Sequence, residues 1–253
     1  MRNNYDHILE RMTPITLEEM RTIHLMDRID SKFVIPITTL PLLLEALQSC
    51  YKVQFHNNRR IAAYTTQYLD TPDLNMFLMH HNGKLNRQKI RIRTYKDSQL
   101  SFLEVKNKNN KGRTKKIRIP VDQSSISCQE ELKEYETFLK QHTLFDCQTL
   151  KPVLSNEFER ITLINKQLTE RVTIDSYLSF SGFDSMQKEM MNHVAILELK
   201  QDRSKHSDFK QILSRFRIKQ CAFSKYCTGI VLTNNDVKRN RFKQRINSLN
   251  KLI

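Results

Sequence analysis

The chain contains no tryptophan and only 4 glycines in 253 residues. None of those glycines stands in a GxxxxGK(S/T) or GxGxxG arrangement. This excludes a P-loop or Rossmann phosphate cradle, which needs glycine where backbone closes on phosphate. HExxH and GxSxG are absent as well. No apolar run approaches the length of a membrane span, and the opening residues MRNNYDHILERM lack the apolar core of a signal peptide. The expectation is a cytoplasmic protein, with peripheral contact at the inner face of a membrane as its closest association with lipid. The five cysteines, Cys50, Cys128, Cys147, Cys221 and Cys227, make no CxxC pair, so no zinc site is indicated. Their odd count suits a reducing compartment, and they are expected to be buried small apolar residues. The eight histidines are scattered, and His80-His81, near a helix end, is expected at the surface.

Positive charge is abundant. Lys and Arg number 42 against 27 acids, a formal charge of +15, which predicts an anionic partner: nucleic acid, nucleotide or inorganic phosphate polymer, or a membrane surface. The 39% hydrophobic content is ample for a core. No repeat, Pro-rich linker or break in composition divides the chain. It is read as one domain over 1–253, with a core of about 26–233 and a basic helix over 236–253.

The charge is patterned. In residues 89–121, Lys89, Arg91 and Arg93 alternate with Ile90 and Ile92, Glu104 and Lys106 with Leu103 and Val105, and Lys116 and Arg118 with Ile117 and Ile119. Period-2 alternation broken by polar turns predicts a β-meander with one oily and one cationic face. Either the cationic face is solvated, or it lines a cavity that holds a polyanion. The density of charge favours the second, since ordinary solvent faces mix signs and use Thr, Ser and Gln as well, while the pattern alone leaves both open.

Along the chain, residues 16–26 predict a short helix with a Thr16/Glu19 capping box, and 27–36 a strand carrying Arg28, Asp30 and Lys32 on one face. A helix follows from about 39 to 50, then strands over 51–56 and 61–69 around an Asn57-Asn58 turn. A helix over 74–81, capped by residues 70–73, precedes the meander. A helix over 130–142, strands over 152–160, 171–180 and 195–200, a helix over 207–217, a turn at FSKYCTG and a helix over 236–251 complete it. Many two-faced strands with few helices predict an α+β fold: an antiparallel β-barrel with helices packed outside.

Lysines and arginines on several strands cannot face one another in a dry core without an anion. A triphosphate or phosphate chain is such an anion, gripped by Arg forks and Lys point charges. The rare carboxylates among them, Asp30, Glu104 and Glu198, then suit a divalent metal bridging phosphate oxygens. A cross-strand ion pair is the other meaning. The metal is favoured at Glu198, and both meanings stay open at Glu104.

The segments DRIDSKFVIP, YLDTPDLNMF, IRIRTY, FLEVKNK, NEFERIT, RVTIDSYLSF, ILELK and FSKYCTG occur in an order that resembles the VTC domain. That domain is the polyphosphate polymerase module of the vacuolar transporter chaperone complex and its bacterial relatives, in the triphosphate tunnel metalloenzyme (CYTH-like) superfamily. The resemblance spans residues 26–229. It implies a basic tunnel that uses ATP and a divalent metal, Mn²⁺ or Mg²⁺, to add γ-phosphate to a growing inorganic polyphosphate chain. By motif it implies phosphate contacts from Lys32, Arg91, Arg93, Lys106, Lys116, Arg118, Arg160, Lys200 and Lys225. Arg91, Arg93, Lys106 and Arg160 would be catalytic. Glu198 would be the metal ligand, with Glu104 and Asp30 as further candidates.

Three departures stand out. Arg28-Ile29-Asp30-Ser31-Lys32 replaces the ExExK of the wider superfamily, which weakens two-metal hydrolysis. Phe158 stands where the family often has tyrosine. The chain has no room for the membrane domains of the eukaryotic complex, so a membrane partner would be a separate protein. Two rivals remain: a triphosphatase of the same fold, and a non-enzymatic polyanion or RNA-binding module. No sequence-specific nucleic-acid recognition is expected, since the aromatics fall mostly at core-like positions.

Overall fold

The computed structural model describes residues 4–21, 28–122 and 129–252. Its strands are β1 (Pro14–Ile15), β2 (Arg28–Pro36), β3 (Tyr51–Gln54), β4 (Ile61–Asp70), β5 (Arg87–Tyr95) and β6 (Leu100–Lys108), followed by β7 (Thr114–Val121), β8 (Lys151–Asn165), β9 (Glu170–Gly182), β10 (Lys188–Met191) and β11 (Val194–Asp202). The helices are α1 (Asp6–Arg11), α2 (Leu17–Arg21), α3 (Leu40–Leu47), α4 (Asn75–His81), α5 (Gln129–His142), α6 (Asp208–Arg215), α7 (Lys225–Thr233) and α8 (Asn240–Asn250). The class is α+β, and all eleven strands belong to one sheet.

The main path runs β2-β11-β9-β8-β4-β5-β6-β7, with antiparallel pairing throughout; among the described residues only the short β1–β3 pair is parallel. Among the described residues no ladder joins β2 to β7, so hydrogen bonds do not close the sheet into a barrel. It is nevertheless curled. Lys32 on β2 donates from Nζ to the Phe223 carbonyl at 3.0 Å, and Lys89 on β5 donates from Nζ to Ser224 Oγ at 2.9 Å. Two strands far apart in the sheet thus converge on adjacent residues.

Alternation decides what lies on each side. On the convex side of β2, β11, β9 and β8, Phe33, Ile35, Leu163, Val172, Ile174 and Leu197 form a core with α1, α3 and α6. On the convex side of the meander, Ile90, Leu103 and Val105 pack with Phe138 and Leu139 of α5. The concave side carries the charged residues, but only over part of its length. A register slip between β8 and β9 at Glu157/Glu159, with Tyr177 at φ 51°, shifts which residues of β9 face inward. Before it the inward residues are Arg171, Thr173 and Asp175; beyond it they are Leu178 and Phe180. The apolar half is covered by α7, with Gly229 pressed against Leu154 and Phe180. A β-carbon there would sit 2.5 Å from Leu154 Cδ2 and 2.6 Å from Phe180 Cδ1. Gly229→Ala is therefore expected to overpack the helix seat and destabilise the fold by about 1–3 kcal/mol, read as a lowered midpoint in urea.

Several expectations need correction. FSKYCTG is not a turn: Ser224 caps α7 by accepting from the Cys227 N–H, and the helix continues to Thr233. The last helix starts at Asn240 rather than 236, because the Asp236 N–H is taken by Asn234 Oδ1 in a preceding turn. His81 is buried between Phe77 and Phe242 and is not a surface residue, while His80 is half-buried with its Nδ1 3.0 Å from Cys227 Sγ. Cys227 is buried and Cys50 and Cys147 are half-buried, but Cys221 is exposed, and Cys128 lies outside the described residues. The expected helix over 16–26 appears as α2 with its Thr16/Glu19 capping box, Thr16 N–H to Glu19 Oε2 at 2.7 Å and Glu19 N–H to Thr16 Oγ1 at 3.2 Å. Residues 22–27 lie outside the described residues.

Candidate phosphate-binding tunnel

The strand register gathers the charged residues on one concave wall. Glu198 pairs with Lys32 and with Thr173, and Lys200 pairs with Asp30 and Arg171. Arg160 pairs with Asp175 and Ala62, Arg93 with Thr66 and Phe102, Arg91 with Tyr68 and Glu104. Lys106 pairs with Lys89 and Lys116, and Glu104 with Arg118. Directly opposed residues share a face. All twelve residues singled out in the sequence thus share this side of the sheet or, for Lys225, reach it from the first turn of α7.

They are not equivalent. Glu104, 1% exposed, takes Arg91 Nη2 at 2.7 Å on Oε2 and Lys116 Nζ at 2.9 Å on Oε1. Burial alone would raise its carboxyl, but Arg91, Arg93 and Lys116 outweigh that and hold it near 2. Its oxygens are committed to cations, which makes it a poor metal ligand. Asp30 is exposed at the rim. Arg118 places its guanidinium 4.3 Å from the Phe102 ring centroid.

Asp175 was not among the sequence candidates and is central here. It accepts Arg160 Nε at 2.6 Å and Nη2 at 2.8 Å in a bidentate fork, and Lys225 Nζ at 2.6 Å. Desolvation opposes its charge, but Arg160 and Lys225 hold the carboxyl far below its usual range. Phe158 supplies a ring face: Lys225 Nζ sits 2.9 Å from its centroid, and Arg160 and Arg93 lie 5.2 and 5.9 Å away.

Arg93 is the least compensated of the arginines. It is 9% exposed and makes no ion pair among the described residues, and its Nε contact to Thr66 Oγ1 is long at 3.5 Å. Burial, then Arg91 and Arg160, push it below the usual arginine range. Lys89 is pushed down to about 7, first by desolvation and then by Lys32, Lys106 and Arg87 against the opposing pull of Cys227. Lys106 is pushed down to about 8, first by desolvation, with Lys32, Arg91 and Lys200 adding to it and Glu198 opposing. A wall of cations that suppress one another's charge is poised for an anion.

This predicts a pH dependence. A polyanion on the wall raises the Lys89 pKa, so binding takes up protons. Affinity is full below about 7 and falls as pH rises through the free and then the bound value. Calorimetry with long-chain polyphosphate at pH 6 and 9, in buffers of different ionisation heat, is expected to show weaker binding and net proton uptake on the alkaline side. Identical affinity and no proton uptake would refute the assignment of Lys89.

Among the described residues no three of His, Cys, Asp and Glu converge on a point that could hold a metal unaided. Mg²⁺ and Mn²⁺ bound with a phosphate substrate need only one or two protein carboxylates, and Glu198 fits that part. Burial works to raise its carboxyl, but Lys32, Lys200, Arg160 and Lys106 together hold it ionised down to about 2. Its contact to Lys200 is loose, 3.9 Å from Nζ to Oε1.

Comparison with known proteins agrees with this geometry in one respect. The family model of the VTC domain matches residues 27–234. No curated protein matches the sequence. Solved structures with similar topology include an adenylate cyclase candidate from Vibrio parahaemolyticus, 10% identical over 80% of this chain and 97% of that one, with a TM-score of 0.47. HpAC1 from Hippeastrum, a protein with a dominant triphosphatase activity, is 12% identical over 80% of this chain and 94% of its own, also at 0.47. The PH1819 protein of Pyrococcus horikoshii is 12% identical over 82% and 97%, at 0.45. The match over 27–234, which takes in every strand of the charged wall, shows that the chain belongs to the VTC domain family.

Proposed function

We propose that this protein is a polyphosphate polymerase that transfers the γ-phosphoryl group of ATP to the end of an inorganic polyphosphate chain. The observation that carries this reading is Arg93, a buried guanidinium without a carboxylate partner among the described residues, set beside Arg91 and Arg160 on the concave wall. Buried uncompensated charge costs several kcal/mol unless an anion arrives. Membership of the VTC family supports the same substrate class.

Phosphoryl transfer demands positioning and charge stabilisation more than covalent chemistry. Arg93 and Arg160 would hold the nucleotide phosphates, with Arg160 oriented by Asp175 and backed by the Phe158 ring. Lys32, Lys89, Lys106 and Lys200 would hold the acceptor chain, whose terminal oxygen attacks while ADP departs. Glu198 would hold the divalent metal, which supplies Lewis-acid withdrawal of charge from the transferring group. No side-chain nucleophile is required. Among the described residues no helix is long and apolar enough to cross a membrane.

The test is incubation of the purified chain with ATP and Mn²⁺, with products resolved by length. Long phosphate chains with ADP are the expected result. Free phosphate without chains would move the assignment to a triphosphatase, and no metal-dependent consumption of ATP would overturn the enzymatic reading.

A further inference from the structure

Four aromatic rings cross the concave wall in one row. Phe158 on β8 stacks on Tyr64 of β4, with centroids 5.2 Å apart and planes within 2°. Tyr64 meets Tyr95 of β5 at 5.0 Å, and Tyr95 meets Phe102 of β6 edge-on at 5.9 Å. The row is closed at one end and open at the other: Phe158 and Tyr64 are 3% and 7% exposed, whereas Tyr95 and Phe102 are half-buried. At the closed end the ring faces are already taken by Lys225, Arg160 and Arg93. At the open end the exposed Arg118 lies over Phe102 and forms no ion pair among the described residues. Phe102 pairs in register with Arg93, a buried arginine without a carboxylate partner among the described residues.

We propose that Tyr95, Phe102 and Arg118 form a stacking shelf for the base of a nucleoside triphosphate whose phosphates lie inward on Arg93 and Arg160. The inference rests on the nucleotide-using reading above and deepens it by giving the nucleoside a place. A base is a flat π-system that stacks on aromatic rings and on guanidinium planes alike, and the open end offers the Tyr95 ring and the outer plane of Arg118, whose guanidinium lies over Phe102. Arg93 and Tyr95 are two residues apart on one strand face, about 7 Å along the wall, so a nucleotide anchored by its phosphates at Arg93 can lay its base on the shelf. The closed end offers no such surface, because its rings, Phe158 and Tyr64, are buried. Stacking of this kind tolerates different bases, so ATP and GTP are expected to bind within about threefold of each other.

The test compares ATP with inorganic tripolyphosphate, which carries the phosphates without the base, by calorimetric titration of the full chain. Phe102→Leu and Tyr95→Leu are each expected to weaken ATP binding about tenfold, with tripolyphosphate affinity within about twofold of wild type, and Phe102→Tyr to restore ATP binding. Retained tripolyphosphate binding also certifies that the variants fold. Arg118→Lys keeps the charge but loses the plane, and is expected to weaken ATP more than tripolyphosphate. Equal losses for both ligands, or unchanged ATP affinity in the leucine variants, would overturn the shelf. Wild-type protein that binds tripolyphosphate as tightly as ATP would also overturn it while leaving the anion tunnel standing. Wild-type protein that binds neither would remove the reading on which the shelf rests.

Discussion

Replacing Glu198 with glutamine is expected to reduce metal-dependent consumption of ATP by at least about a hundredfold, equivalent to ~2.7 kcal/mol of transition-state stabilisation. In the presence of a chelator the same variant is expected to bind tripolyphosphate at least as tightly as wild type. The two effects have one cause. Glu198 is held more loosely than Glu104 or Asp175: it lies 3.9 Å from Lys200, whereas Glu104 and Asp175 are each held by two basic side chains at 2.6–2.9 Å. Removing its charge would delete the ligand proposed for a phosphate-borne metal and at the same time make the wall more positive. Some stability is expected to go as well. The Glu198 carboxyl is held at about 2 against an ordinary 4.5, so its charge contributes roughly 3 kcal/mol, present above pH 4.5 and lost as pH falls through about 2. Anion titration in chelator therefore has to accompany the kinetics. A variant that binds tripolyphosphate and still turns over ATP at the wild-type rate would end the metal assignment.

What was legible in the sequence follows from what period 2 encodes. Alternation in KIRIRTY, FLEVKNK and ILELK shows which side chains share a face, and the strands β5, β6, β7 and β11 lie where that alternation runs. It says nothing of which face is concave; that is decided by Lys32 and Lys89 reaching residues 223 and 224 from opposite parts of the sheet. Asp175 had a visible signal, an acid alternating with Arg171 and Thr173 in RVTIDSY. Its partner Arg160 is set only by the β8–β9 register, and that register is interrupted by the slip at Glu157/Glu159. Helix α7 was hidden for another reason. Tyr226, Cys227, Thr228, Gly229, Ile230 and Val231 are all buried, so the helix has no polar stripe and no 3.6-residue period. Its glycine, which looks like a turn residue in sequence, is there to let Leu154 and Phe180 approach. The aromatic row was invisible for the same reason as the pairing of Asp175 with Arg160. Phe158, Tyr64, Tyr95 and Phe102 come from four strands, and only pairing across β8, β4, β5 and β6 sets them side by side.

Asp175→Asn is expected to have the largest effect on stability of any single change at the wall. The substitution keeps the shape of the side chain and removes one charge, leaving Arg160 and Lys225 facing each other behind an amide. Breaking a buried ion pair at one partner costs about 3–5 kcal/mol, and for a chain of this size each kcal/mol lowers the melting temperature by about 2–4 °C. The loss has a pH signature that a generic packing defect lacks. Lys225 is pushed well below the usual lysine range by desolvation, and Asp175 is the group that works against this. Without the carboxylate, the folded variant sheds the Lys225 proton more readily than the unfolded chain does. Its stability therefore rises with pH, from the depressed folded value up to the ordinary lysine range. Wild-type Lys225 is depressed as well, so the deficit relative to wild type is expected to shrink only over the pH interval in which the variant has shed this proton and the wild type still holds it. Polyphosphate in the buffer is expected to narrow it too, since an anion bound to the folded wall replaces part of the missing charge and stabilises by mass action. Urea melts of both proteins at pH 6 and 9, with and without polyphosphate, separate these contributions. A deficit that stays constant across all four conditions would mean that Asp175 fills space, and that the charge balance of Arg160 and Lys225 is set elsewhere.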